Sequence, residues 1–285
     1  MKEECRRIMS ARLLWLLLAA AMTVNIWILW NFQGQREYAQ VARNLAEDGA
    51  GYVTPENQEE IIAAFAGAEE RHPGEIPVRN MVEGALRLAG QLKAQDLADA
   101  YIESMKLKGR AAEQAGKAFA ALEPVLEGNR EDGTARQLFV PCSGRFFDLF
   151  SRWLPLAATV ESILAAVLLM LKCVNEPFDQ RTAAVIYTSK RGRRVNHTRF
   201  RAVAAVAAAY TTAVWALTLG MAGVAFPLGK LWNVKLGSMI VLDVFYPIVT
   251  RFPVSVGAYL ALQFAVSLCM AWLFGAMAYF TVLGG

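Results

Sequence analysis

The sequence has few of the residues that enzymes and metal sites depend on. Only four cysteines and two histidines occur in 285 residues, and the cysteines are scattered at positions 5, 142, 173 and 269 without a CxxC pair. This spacing argues against a disulfide framework and a zinc site. The motifs GxxxxGK followed by Ser or Thr, GxGxxG, HExxH and GxSxG do not occur. We therefore expect no catalytic residue, no enzymatic activity and no bound cofactor or metal in this chain.

Charge is also scarce, and it is unevenly placed. Charged residues make up 19% of the chain and hydrophobic residues 55%, whereas a soluble domain has about 25% charged residues. Most of the charge lies in residues 33–152, which carry 14 basic and 19 acidic side chains, while four other stretches are almost free of charge. This distribution is typical of a membrane protein that contains one polar domain.

The four apolar stretches predict an all-α membrane protein with four spans. We place them at residues 13–32, 153–173, 201–226 and 256–283. The first is long enough as a helix, about 30 Å, to cross the hydrocarbon. Its AAA at 19–21 resembles a signal-peptide cleavage site, but the apolar run continues to Trp30 and favours a retained anchor. The predicted remainder is a basic N-terminus (1–12), a helical domain (33–152), a basic loop (174–200) and a second loop (227–255).

Basic residues predict how the spans are oriented. Residues 172–201 contain eight Lys or Arg and two acids, and residues 1–12 contain four basic residues and two acids. Basic segments next to spans remain cytoplasmic. We therefore expect a multi-pass protein of the cell membrane with both termini cytoplasmic and the helical domain extracytoplasmic. The basic excess is explained by topology, so we expect no nucleic-acid partner.

Within residues 33–152 the apolar residues recur at helical spacing. Thr54-Pro55 predicts a helix start and His72-Pro73 its end, while a further helix is expected from Ala111 to Leu126. A run at 145–150 is amphipathic and predicts an interfacial lead-in to the second span.

Two polar residues interrupt the predicted spans. Glu161 lies about a third of the way across the second span, where a charge costs roughly 3 kcal/mol. It either lines a transport pathway or is a paired or protonated structural carboxyl. Asn25, in the first span, is more simply explained by a hydrogen bond between helices than by a substrate contact. Small residues at Ala204 and Ala208, and at Ala271 and Gly275, predict close helix packing.

The basic loop carries the one family resemblance in the chain. Glu176 is followed by Arg181-Thr182 and then by TSKRGR at residues 188–193, and VSVGAYL at residues 254–260 opens the fourth span. With the layout of spans and the large inserted domain, this resembles the permease subunits of type-2, exporter-like ABC transporters. That family often has Gly-Thr where this chain has Arg181-Thr182, and it commonly has six spans, whereas four are predicted here.

The resemblance implies a transmembrane subunit of an ABC export or efflux system. Such a permease binds no nucleotide, because a separate cytoplasmic ATPase subunit binds ATP and Mg. The basic loop and the N-terminal segment dock on that subunit, and a second permease subunit and membrane lipids are further expected partners. The implied coupling residues are Glu176, Arg181, Thr182, Thr188, Ser189, Lys190, Arg191, Gly192, Arg193 and Arg194. The alternative is a membrane-anchored sensor or interaction protein, in which the basic loop only fixes topology and binds anionic lipid.

Overall fold

The computed structural model describes residues 2–9, 12–47, 52–72, 77–90, 92–136, 148–179, 181, 190–226, 229–239 and 254–284. Within these ranges the chain forms the helices α1 (Lys2–Met9), α2 (Arg12–Asn31), α3 (Gln35–Glu47), α4 (Gln58–Arg71), α5 (Val78–Gly90), α6 (Ala94–Ser104), α7 (Arg110–Ala120), α8 (Glu123–Glu131), α9 (Leu154–Asp179), α10 (Lys190–Ala225) and α11 (Val256–Gly284). Short 3₁₀ turns lie at Thr134–Arg136, Gly229–Asn233 and Leu236–Met239, and a π-helical turn at Leu149–Trp153 precedes α9.

The predicted all-α fold is confirmed in the described residues, and the four predicted spans correspond to four helices that are long and apolar enough to cross a membrane. Segments long and apolar enough to cross a membrane lie at Arg12–Asn31, Leu149–Pro177, His197–Ala225 and Val256–Thr281. Each overlaps the corresponding predicted span, because an uninterrupted apolar run is the signal for both. The main difference is at the third span. Its helix begins at Lys190, although we expected a basic turn there and a span that starts at Arg201.

One compact unit contains the four apolar helices, comprising Met1–Trp30, Arg152–Ala222 and Leu260–Gly285. Its helices approach closely where small residues meet: Ala166, Ala207 and Ala271 form a buried cluster. A Cβ added at Gly275 would contact Met170 Cγ at 3.4 Å. The predicted small pair Ala271 and Gly275 therefore packs against α9, since small residues allow helices to approach closely in lipid. On α10 it is Ala207, rather than the predicted Ala204 and Ala208, that is fully buried in this cluster.

The N-terminal helix and one end of each of the spans α9, α10 and α11 lie together in this unit. Arg7, in α1, contacts Glu176 near the end of α9 at 2.7 Å. The Cys5 thiol donates to the carbonyl of Ala202, in the first part of the apolar segment of α10, at 3.9 Å. The rings of Phe200 and Tyr279 are 4.8 Å apart, which brings the end of α11 to the same place. The N-terminal segment and the residues that flank the basic loop are therefore neighbours.

The second compact unit is built from two separate segments, Asn31–Ser151 and Gly223–Tyr259. Its hydrophobic core is formed by buried apolar side chains of α5, α6, α7, α8 and the 3₁₀ turn at Thr134–Arg136. They are Leu88, Ala94, Ala98, Phe119, Leu122, Leu126 and Ala135. Arg130 of α8 also donates to the Leu88 carbonyl at 3.2 Å, near the end of α5.

Several helix bounds in this unit differ from our expectations. The helix expected to start at Thr54-Pro55 starts at Gln58, because Thr54 and Asn57 first exchange side-chain hydrogen bonds in a turn. It ends at Arg71, as His72-Pro73 predicted. The single helix expected over 111–126 is two helices, broken at residues 121–122, and Pro124 lies in the first turn of the second. Half of the predicted lead-in at 145–150, residues 145–147, lies outside the described residues.

Residues of the loop between the third and fourth spans complete the second unit. Asn129 of α8 donates to the Gly237 carbonyl at 3.3 Å, and Lys235 donates to Asp132 at 2.5 Å. An antiparallel bridge joins Lys235 to Ser255 and closes the loop. The segment between them at 240–253 lies outside the described residues.

Candidate functional site

A buried polar cluster lies inside the four-helix unit, centred on Asn25. Asn25 is fully buried, and its Nδ2 donates to Glu161 Oε2 at 3.0 Å and to Thr218 Oγ1 at 2.9 Å. One amide therefore connects α2 to both α9 and α10. The hydrogen bond between helices that we expected for Asn25 is present, and its partner is the other polar residue singled out from the sequence.

This cluster has unused hydrogen-bonding capacity. Asn25 Oδ1 and Glu161 Oε1 are buried and have no hydrogen-bond partner. Thr211 and Trp215, which precede Thr218 by seven and three positions on the same face of α10, also keep Oγ1 and Nε1 without one. Buried polar atoms in proteins are normally paired with protein or ordered water. The cluster can therefore hold a proton or a water molecule between the three helices.

A cluster of charged residues lies at the end of the unit where α1 meets the spans. The Arg7 guanidinium contacts Glu4 at 2.8 Å and Glu176 at 2.7 Å through the same nitrogen. The ion pair with Glu4 stays within α1, and the hydrogen-bonded ion pair with Glu176 fixes α1 to the end of α9. Both pairs are partly exposed, so each contributes less than about 1 kcal/mol of stability and serves mainly to set the position of α1.

Arg199 is the buried member of this cluster. Only 8% of the residue is exposed, although its side chain carries a permanent charge. Glu4 Oε1, an ion-pair partner, is 3.7 Å from Arg199 Nε, which is too far for a hydrogen bond. Arg199 Nε and Nη1 have no hydrogen-bond partner. A buried guanidinium with unused donors favours a ligand that brings oxygen acceptors.

The predicted coupling residues are distributed over three places. Glu176 is in α9 and contacts Arg7. Arg181 is exposed, and its backbone has φ = 55°. Lys190 to Arg194 form the first turns of α10, and Thr182, Thr188 and Ser189 lie outside the described residues.

Sequence reasoning missed the partners that complete both clusters. Thr218 lies in an apolar run and was not singled out from it. Glu4 and Arg199 were considered only as part of the charge pattern that predicts topology. A signal for Arg199 exists in the sequence. It precedes the buried residues Ala202, Val203 and Val206 at helical spacing, so it lies on the packed face of α10 rather than on a solvated one.

Comparison with known proteins adds no relative. No protein-family model matches the chain, and neither a curated protein nor a solved structure shows significant similarity to it. The described fold and its two polar clusters are therefore what a functional argument has to start from, together with the short motif in the basic loop.

Proposed function

We propose that this chain is the membrane subunit of an ABC export or efflux system and is driven by a separate cytoplasmic ATPase. The basic segment around residues 188–194 receives the movement of the ATPase, and the packed helices respond by exposing the interior of the unit alternately to the two sides. In this proposal the second compact unit (Asn31–Ser151 and Gly223–Tyr259), called the helical unit below, is extracytoplasmic, and the ATPase alone binds ATP and Mg.

The observation that carries the proposal is the continuity of α10. This helix runs unbroken for 36 residues from Lys190 to Ala225, about 54 Å at 1.5 Å per residue. The hydrocarbon core of a bilayer is only about 30 Å thick. Because the apolar part begins at His197, the first two turns extend beyond it and contain the proposed coupling residues. A displacement of those turns is transmitted directly to the helix that carries Thr218.

Two further observations support the proposal. Arg7 fixes α1 to Glu176, so the two segments that the resemblance assigns to ATPase docking are held side by side. The positive φ at Arg181 lies in the left-handed region, which costs a residue with a side chain about 1 kcal/mol and costs glycine nothing. The resembled family often has glycine at this position, so the backbone conformation agrees with the family pattern even though the side chain does not.

Charge reversal tests the docking role of the first turns of α10. Arg191→Glu combined with Arg193→Glu should abolish co-purification of an ATPase with the full chain, because two attractive contacts become repulsive. The matched control combines Lys108→Glu with Arg110→Glu, which makes the same charge change on exposed residues of the helical unit. Co-purification that survives the first reversal contradicts the docking role and favours a membrane-anchored sensor.

A proline substitution in α10 distinguishes binding of the ATPase from transmission of its movement along the helix. Val195→Pro interrupts α10 between its basic turns and its apolar part, at a cost of about 3 kcal/mol to the helix. We expect the ATPase to remain bound while ATP no longer changes the distance between spin labels at positions 27 and 217, measured by pulsed electron paramagnetic resonance. Val195→Ala keeps the helix and should keep the ATP-dependent change. An unchanged response in the proline variant contradicts transmission through α10.

A further inference from the structure

A pocket opens beside the charged cluster of the four-helix unit. The space between its walls, counted together with the open solvent at its mouth, is about 460 Å³, and three basic residues line it: Arg7, Lys172 and Arg199. Glu176 also lines the pocket, and Glu4 stands behind it as the partner of Arg7 and the neighbour of Arg199. With three cations against two carboxylates, the pocket has a positive charge.

The three cations have different roles. Arg7 is already engaged by Glu4 and Glu176. Arg199 is buried, and its Nε and Nη1 have no hydrogen-bond partner. A guanidinium presents its donors as a planar fork that matches two oxygens of a phosphate group. Lys172 is exposed at the pocket and supplies a second positive charge for the same anion.

The other walls of the pocket are apolar. Ile8, Leu169 and Val203 come from α1, α9 and α10, and Leu169 and Val203 are fully buried. A free inorganic anion gains nothing from such walls, whereas the glycerol and first methylene groups of a lipid are stabilised by them. The pocket also lies where the apolar segments of α9 and α10 end, at the level at which lipid headgroups meet a membrane protein.

We propose that this pocket binds the phosphate group of an anionic membrane lipid, with Arg199 as the main ligand and Lys172 as the second. The lipid completes the hydrogen bonds of the buried guanidinium. It also fills the space between α1, the end of α9 and the segment of α10 around Arg199, and so holds the N-terminal helix in place. This inference does not depend on the proposed transport function.

The proposal is tested with the full chain in detergent by native mass spectrometry. Phosphatidylglycerol and phosphatidylcholine are titrated separately, and the bound lipid is counted. A cation next to an anionic headgroup contributes about a fivefold gain in affinity, so phosphatidylglycerol should bind at least about fivefold more tightly than phosphatidylcholine. Equal affinities would overturn the proposal. Displacement of phosphatidylglycerol by equimolar glycerol 3-phosphate would also overturn it, because the pocket would then prefer a soluble phosphate.

Variants assign the effect to the pocket. Arg199→Gln should lower the affinity for phosphatidylglycerol about fivefold or more and that for phosphatidylcholine less, because the choline cation offsets the charge of its phosphate. Arg201→Gln, an exposed arginine two positions further along α10, is the matched control and should have little effect. Lys172→Gln tests the same site without changing a buried residue. Glu4→Gln should strengthen binding, because it removes a carboxylate that forms an ion pair with Arg199. Unchanged affinity in both Arg199→Gln and Lys172→Gln would refute the site.

Discussion

Replacing Asn25 by leucine should weaken the packing of three membrane helices at once. Leucine has the same branched skeleton and number of side-chain heavy atoms as asparagine and is somewhat larger, so Asn25→Leu removes the polar contacts without creating a cavity. The change deletes the bonds to Glu161 and Thr218. It also leaves the Glu161 carboxyl without a hydrogen bond on either oxygen, because its Oε1 already lacks a partner.

The size of the effect follows from these losses. Hydrogen bonds between helices in a membrane contribute about 0.6 kcal/mol each on average. A buried polar group that loses its partner costs about 1–3 kcal/mol more. We therefore expect Asn25→Leu to lower the free energy of unfolding by about 2–4 kcal/mol. Glu161→Gln keeps an acceptor for Asn25 and should cost less than about 1 kcal/mol.

The assay is equilibrium unfolding in mixed micelles of increasing dodecyl sulfate content, followed by tryptophan fluorescence. Thr23→Val is the control, because the exposed Thr23 hydroxyl bonds only to Ala19 of its own helix. The decisive variant combines Asn25→Leu with Glu161→Leu. It leaves no unpaired carboxyl, so its cost should be smaller than the sum of the single costs by about 1 kcal/mol or more. Losses that simply add would refute the coupling of these residues.

Two further predictions concern the helical unit. Partial burial of Asp132 acts to raise its pKa, but hydrogen bonds from Lys235 and Thr134 outweigh it and hold the pKa below its usual value. A carboxyl whose pKa is lowered in the folded state stabilises the fold above about pH 4, and this stabilisation is lost as the pH falls through the folded-state pKa. The difference in unfolding free energy between the wild type and Asp132→Asn should therefore disappear in acid. A difference that stays constant with pH would contradict the pairing of Asp132 with Lys235. Gly237→Ala would place a Cβ 2.6 Å from Asn129 Oδ1 and should lower the free energy of unfolding, measured by thermal unfolding, by about 1–3 kcal/mol. The control is Gly128→Ala, where the added Cβ meets open space and the change should be neutral or stabilising.

The spans were predictable because they depend on one local property. A run of apolar residues long enough to cross a bilayer is visible without knowledge of any contact, and its ends were placed within a few residues. The extension of α10 to Lys190 was not predictable in this way, since a polar helix that continues beyond the membrane has no apolar run. The break between α7 and α8 was also missed, because the apolar periodicity continues across Ala121 and Leu122.

The two polar clusters depend on contacts between residues that are distant in the sequence, and the periodicity of apolar residues does not reveal such contacts. Asn25 and Glu161 were each recognisable as polar residues in apolar segments, but they are 136 positions apart, and their hydrogen bond follows only from the packing of α2 on α9. Arg7 and Glu176 are separated by 169 positions. What the sequence shows is that such residues need partners; which partners they find is decided by the arrangement of the helices.

The divided origin of the helical unit has a consequence for biosynthesis. Asn129 is synthesised 108 residues before Gly237, whose carbonyl it contacts. At roughly 5–20 residues per second, the contact cannot form until about 5–20 s after Asn129 leaves the ribosome, and two further spans have been made by then. The unit can therefore reach its final hydrogen bonding only after the third span is complete. A ribosome stalled before residue 237 should leave residues 31–151 more accessible to protease than they are in the finished protein.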